Sequence, residues 1–474
     1  MNQRNTPLAD ALAGKRDVVA FDVPGHRGRM DALKNYFGAH CLGLDVNSRP
    51  ELDMLYHPDS VIAEAERLAA EAFGARDCFF MVGGTTSAVQ SMILCACREG
   101  DVILLPRNVH SSVINGIILC GAVPVYIKPG LSDSLGIPLG ISTEDVAAEI
   151  AAHPEAKAIL VNHPTYYGIC SDLKKIVEIA HAAGIKVLAD EAHGTHFAFS
   201  NRLPASAMAC GADYSAVSIH KTGGALTQSS CLLVGEGGVD RSEVQSIINL
   251  TLTTSASYLL MASIDIARSV LATEGEELFG KLVAKVSQTR AAINALGGYR
   301  TLGRESVDGK YVFDLDETKL VVNGCNLGYA GIELYRKLLE EYHIQAEFGD
   351  VSNLLLLPSP WDESDALQKV RTAFEKIAKE DDRAPTSYRY EYIPPQPAIS
   401  PRKAYFAPKY SCPLDATCGK ISAEYVMCYP PGIPILAPGE YVTSEVIEYI
   451  EYAVAKGLHI TGMSGQNELK VLKG

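Results

Sequence analysis

An alternation that begins near residue 60 constrains this 474-residue chain more than any other feature. Short apolar runs bounded by turn residues recur, separated by segments of helical periodicity. The runs are CFFMV (78–82), DVILL (101–105), VPVYI (123–127), AKAILVN (156–162), IKVLAD (185–190), YSAVSI (214–219) and CLLVG (231–235). Among the periodic segments, VIAEAERLAAEAF has Ser60 as its expected N-cap and Gly74 as its stop. Residues 88–98, STEDVAAEIAA and DLKKIVEIAHAAG read as further helices, the last ending at Gly184. Strands alternating with helices of about 10–15 residues predict an α/β fold whose mostly parallel sheet is covered on both faces.

In such sheets ligands sit beyond the carboxyl ends of the strands. That rule selects residues 83–87, 107–110, 163–167, 190–193 and 220–221. After about residue 290 the pattern changes to helices alternating with shorter strands, as in GIELYRKLLEEYH and LLLLP. We expect a large domain over 1–290 and a smaller α+β domain over 291–474. Residues 381–403, rich in Pro and Tyr, read as a connection wrapping a surface. In YPPGIPILAPGE (429–440) the prolines are too dense for a helix or a central strand, so the segment reads as a rigid wall.

Composition excludes several function classes. The formal net charge of −14 gives no general reason to bind nucleic acid or an anionic membrane. No apolar run approaches the roughly 20 residues that span a bilayer. The start, MNQRNTPLADALAGKRD, has no signal-type apolar core, so a cytoplasmic protein is expected. The 12 cysteines are scattered, with Cys78, Cys95, Cys120 and Cys231 in apolar stretches, and read as buried thiols. No spacing matches a zinc site, and no metal is expected.

Each strand-end residue has an ordinary reading and a chemical one. Lys221, in SIHKTGG, is either a surface lysine or an amine poised for imine chemistry. Asp190 either caps the next helix or pairs with a cationic ring nitrogen. Residues 83–87, GGTTS, are an ordinary turn or a phosphate cradle at a helix N terminus. His110 either packs or stacks on a flat aromatic cofactor. A phosphate loop, a stacking histidine, an acid and a lysine, in that order and all at strand ends, together point to pyridoxal 5'-phosphate (PLP).

These residues resemble the bacterial ornithine/lysine/arginine decarboxylases of PLP fold type I. The resemblance runs through TPLADAL, VPGHRGR, LYHPDSVIAEAERLAAEAFGA, GGTTSAVQSMI, PRNVHSSV and DEAHGTHF. It continues through the more specific SIHKT, TLTTSASYLLMASID and GKISAEYVMCYPPGIPILAPGE. The resemblance implies that Lys221 binds PLP covalently, Asp190 pairs with the ring nitrogen and His110 stacks on the ring. It gives the phosphate to Thr85, Thr86, Ser218 and His220, and puts His193 near the ring hydroxyl. Thr254 and Ser255 would reach the phosphate of a neighbouring subunit, making a homodimer with shared active sites. Segment 419–440 would wall the substrate pocket, with Glu440 facing the distal cation of a basic amino acid. The resemblance implies arginine as first substrate, with lysine and ornithine next, in polyamine biosynthesis. The chain matches the short type that lacks the receiver-like N-terminal domain. It departs from the usual pattern at Arg27, Gly83 and His193. Two rivals remain: an aminotransferase using Arg300, Arg304 or Arg336 as a carboxylate clamp, and a silent polyamine-binding regulator.

Overall fold

Each of the seven apolar runs forms a strand of four to six residues. In chain order the elements that build the candidate site are α1 (Val61–Phe73), β1 (Asp77–Met81), α2 (Gly84–Ala96), β2 (Val102–Pro106) and α3 (Ser111–Cys120). They continue with β3 (Val123–Ile127), β4 (Ala158–Asn162), β5 (Lys186–Glu191), β6 (Tyr214–Val217) and β7 (Ser230–Val234). The structure, a computed structural model, describes residues 1–14, 19–380, 383–386, 392–428, 433–465 and 467–473. No helix among the described residues is long and apolar enough to cross a membrane.

The chain divides into two units. The first comprises residues 1–95, 188–201 and 205–277; the second comprises 96–187, 202–204 and 278–474. In the first, β6 runs parallel to β5, with Asp190 opposite Ala216. β7 pairs antiparallel with both β6 and β1. Residues 218–229 hold only a five-residue helical turn, too little for a crossover to a parallel strand, so the chain doubles back. In the second unit β2 lies between β3 and β4 and is parallel to both. β7 is buried along its whole length, as strands covered on both faces are.

The start of α1 is not capped by its own N-cap residue. Ser60 occupies the N-cap of α1, but its side chain makes no capping bond. The carboxylate of Asp53 does that work instead. Its Oδ2 accepts the amides of Ser60, Ile62 and Ala63 at 2.8, 3.1 and 3.4 Å, a fixed negative charge at the positive end of the helix. α2 begins at Gly84 rather than near Ala88, so the GGTTS loop supplies the helix's first turn.

A 38-residue helix, Tyr258–Ala295, precedes the smaller α+β region. There Leu320–Asn323 and Asn353–Leu356 centre a four-stranded antiparallel sheet beside helix Gly331–Tyr342. Residues 381–382, 387–391 and 429–432 lie outside the described residues, and with them part of both Pro-rich segments. The described remainder of the second segment includes an edge strand, Ile433–Leu436, paired with Val426–Cys428. An edge position tolerates Pro434.

Candidate active site

In the first unit, β1 runs out at Met81 and the chain turns through Gly83 and Gly84 into α2. Gly84 has φ +72°, a left-handed conformation that a side chain would strain. The hydroxyl of buried Thr85 contacts that of Ser218, and that of Ser230 at 2.8 Å. Ser218 follows β6 and Ser230 opens β7, so two further strand ends deliver hydroxyls to the start of α2. The Gly84 amide donates to the Gln228 carbonyl at 3.1 Å, and a helix N terminus set among hydroxyls is suited to receive an anion. Thr86 is exposed on the same turn. Ser230 was not anticipated from sequence, because only the antiparallel return of β7 brings it there.

After Ser218 the chain makes a π-helical turn, Ile219–Gly223, closed by Gly224 at φ +87°. The positive φ accounts for Gly224, while a side chain at Gly223 would crowd Ile219 and Thr195. Lys221 is exposed, and its Nζ lies 2.9 Å from Nε2 of buried His193. A hydrogen bond between these nitrogens requires one of them to be unprotonated, so the pair shares a proton between two bases. Nδ1 of His220 donates to the Ser229 carbonyl at 2.9 Å. Burial pushes the His220 pKa below its ordinary value; the Ser229 bond opposes this and the Lys221 charge adds to it.

Asp190 lies inside β5, is 8% exposed, and accepts the Ala192 amide on Oδ1 at 3.2 Å. The next helical turn, Thr195–Phe199, takes Gly194 as its N-cap, so Asp190 caps no helix. Adjacent Glu191 was missed from sequence. It is 1% exposed and accepts from Ser215 Oγ at 2.6 Å and the Ala207 amide at 2.9 Å. Burial raises its pKa to about 8, against the lowering effect of those two bonds. Thr254 and Ser255 are exposed on the turn before the long helix, where Thr253 Oγ1 accepts the Ser255 amide at 3.1 Å.

In the second unit, the loop after β2 carries residues 107–110. His110 N-caps α3, with Nδ1 accepting the Ser112 amide at 3.1 Å. The neutral ring therefore carries its proton on Nε2. Glu440 requires a correction. It was expected to meet the substrate's distal cation, but Arg107 binds its two oxygens, Nη1 to Oε1 and Nη2 to Oε2, each at 2.8 Å. The pair is buried, so a substrate cation would have to displace a guanidinium already neutralised within the chain. The three arginines of the aminotransferase reading are exposed. Arg304 is spent on Asp314 and Glu317 at 3.0 and 3.3 Å, while Arg300 and Arg336 donate to the carbonyls of Ser134 and Gly457.

Comparison with known proteins places the chain in a family. Residues 6–321 match the family model for the Orn/Lys/Arg decarboxylase major domain, and residues 386–466 that for its C-terminal domain. The chain is 41% identical to an arginine decarboxylase of Bacillus subtilis over 471 residues, covering 98% of this chain and 96% of the relative. It is 43% identical to an arginine decarboxylase of Halalkalibacterium halodurans, over 97% of this chain and 96% of that one. In three dimensions it resembles a lysine decarboxylase of Francisella novicida with a TM-score of 0.85, at 19% identity, over 100% of this chain and 82% of the other.

Proposed function

Because the chain belongs to the Orn/Lys/Arg decarboxylase family, we propose that it converts L-arginine to agmatine and carbon dioxide with PLP as cofactor. The observation that carries this reading is the grouping in the first unit. Lys221 with His193 beside its amine, and Asp190, follow or end the adjacent parallel strands β6 and β5. The residues fit PLP: an exposed amine, a buried carboxylate one strand away, and a helix N terminus ringed by hydroxyls. When bound, PLP supplies a protonated aromatic ring that draws in the electron pair of the breaking carbon–carbon bond.

The chain's own residues do the rest. Lys221 holds the cofactor covalently and yields its place to the substrate's α-amine. His193 keeps a proton within reach of Lys221 at that exchange. Asp190 holds the ring nitrogen protonated, since an opposite charge nearby favours the charged form. Thr85, Thr86, Ser218 and His220 bind the phosphate, and to His110 we assign the stacking role on the ring. Thr254 and Ser255, exposed in one chain, extend the phosphate shell of a partner in a homodimer. The exposed aromatic residues of the N-terminal segment, Phe21 at 82% and Tyr36 at 83%, support burial in such an assembly. The division near residue 290, the walling role of segment 419–440, a cytoplasmic setting and a place in polyamine synthesis belong to the same reading. Arginine is preferred because the relatives similar over nearly the whole chain are arginine decarboxylases.

A product assay with arginine, lysine and ornithine tests it. Agmatine should form with a kcat/KM about tenfold or more above that for either other amine product. Cadaverine or putrescine as main product would overturn the arginine assignment. Transfer of the amino group to a keto acid would overturn decarboxylation.

A further inference from the structure

The loop that carries His110 is fastened by a pair of residues 333 positions apart. Arg107 is the first residue after β2. Its guanidinium meets the Glu440 carboxylate through two parallel bonds of 2.8 Å, and Nη2 also donates to the Ile435 carbonyl at 3.0 Å. The same guanidinium lies over the Tyr126 ring, 4.8 Å from its centroid. Glu440 Oε2 further accepts the Ala437 amide at 2.9 Å, so the carboxylate is fixed as firmly as its partner. The backbone beside this clasp is pinned too. The Arg107 amide donates to Ile127 O at 3.3 Å, and the Asn108 carbonyl accepts Asn162 Nδ2 at 2.9 Å. Val109 is fully buried, and His110 follows as the cap of α3.

Stability alone gives little reason for this pair. A buried ion pair can often be replaced by apolar residues of similar volume at no cost, whereas removing one partner strands a charge. What a two-bond fork adds is orientation, because both planes and both distances are set at once.

We propose that Arg107 and Glu440 form a positioning device: together they hold residues 107–110 so that the His110 imidazole is presented in one orientation for the cofactor-dependent reaction. This rests on the stacking role assigned to His110 above.

The test uses the full-length holoenzyme. The double variant R107M/E440M removes both charges and leaves none stranded. R107K keeps the charge but loses the fork, and is read in the same way should the double variant not fold. At temperatures well below unfolding, kcat should fall about tenfold to a hundredfold, the scale of a small misplacement at a reacting centre, while KM changes by less than about twofold. The visible circular dichroism of the bound cofactor should change as it does in H110A. Hydrogen exchange at the Ser112 amide, which His110 Nδ1 protects, should quicken in the variant without cofactor as well as with it. Placed in an H110A background, R107M/E440M should lower kcat no further, because both changes act through one side chain. Additive losses in the two backgrounds, or a lowered Tm with unaltered Ser112 exchange and cofactor dichroism, would overturn the proposal. Wild-type enzyme that ignores arginine would sink only the substrate assignment. An H110A variant with unchanged dichroism would sink only the stacking role. In both cases the Ser112 exchange still decides whether the pair positions His110.

Discussion

Asp190 and Glu191 are neighbours in sequence, both buried, with different partners. Along a strand they point to opposite faces. One accepts the Ala192 amide, while the other is buried against Ser215 and the Ala207 amide. Glu191 has a pKa raised from the ordinary 4.5 to about 8. The folded protein thus holds this proton more tightly than the unfolded chain does. The associated stability is fully present below about pH 4.5 and is lost as pH rises through about 8. We therefore expect E191Q, compared with wild type, to gain stability progressively from pH 5 to pH 8, on the order of a few kcal/mol at the upper end. Denaturant titrations at several pH values read this; parallel curves for the two proteins would refute it. That Asp190 lies near the end of a strand was legible in the sequence, because that is a local property. Glu191 was not, since its partners come from other parts of the chain, and the raised value follows from burial. Glu440 was misread for the same reason. Nothing near it in sequence announces Arg107.

At the scale of elements, α1 shows how far local signals reach. The sequence places Ser60 before an apolar-periodic run, and the helix does begin there, yet the capping bonds come from Asp53. Asp53 also accepts the amides of Met54 and Asp59 at 2.7 and 3.1 Å. D53A should destabilise the protein by about 2 kcal/mol or more, since several amides at a helix N terminus lose a charged acceptor. S60A should stay within about 0.5 kcal/mol of wild type. Urea midpoints of the two variants check the contrast; a larger effect for S60A would restore the local cap. The strands were legible to within about two residues because buried apolar runs bounded by turns have few other readings. The direction of β7 and the early start of α2 were not. The first depends on connection length in space, and the second on a loop whose glycines also permit a helix start.

For the whole molecule, the alternation of elements carried the α/β class. Which chain supplies which part of a shared site is a separate question, testable by mixing subunits. K221A subunits lack the covalent anchor, and T254D/S255D subunits place negative charge against a phosphate. If each site takes Lys221 from one chain and Thr254 and Ser255 from its partner, half of the sites in a mixed dimer are intact. An equal mixture, refolded together, should then recover about a quarter of wild-type turnover. No recovery would mean that each chain closes its own site.

The most direct test of the central claim follows the carboxyl carbon of arginine through wild-type protein and K221A. With arginine labelled at that carbon, wild type should release one labelled carbon dioxide for each agmatine formed. K221A, with unchanged far-ultraviolet circular dichroism, should release none and should retain no covalently bound cofactor. Undiminished release by K221A, or wild-type consumption of arginine without labelled carbon dioxide, would contradict the account.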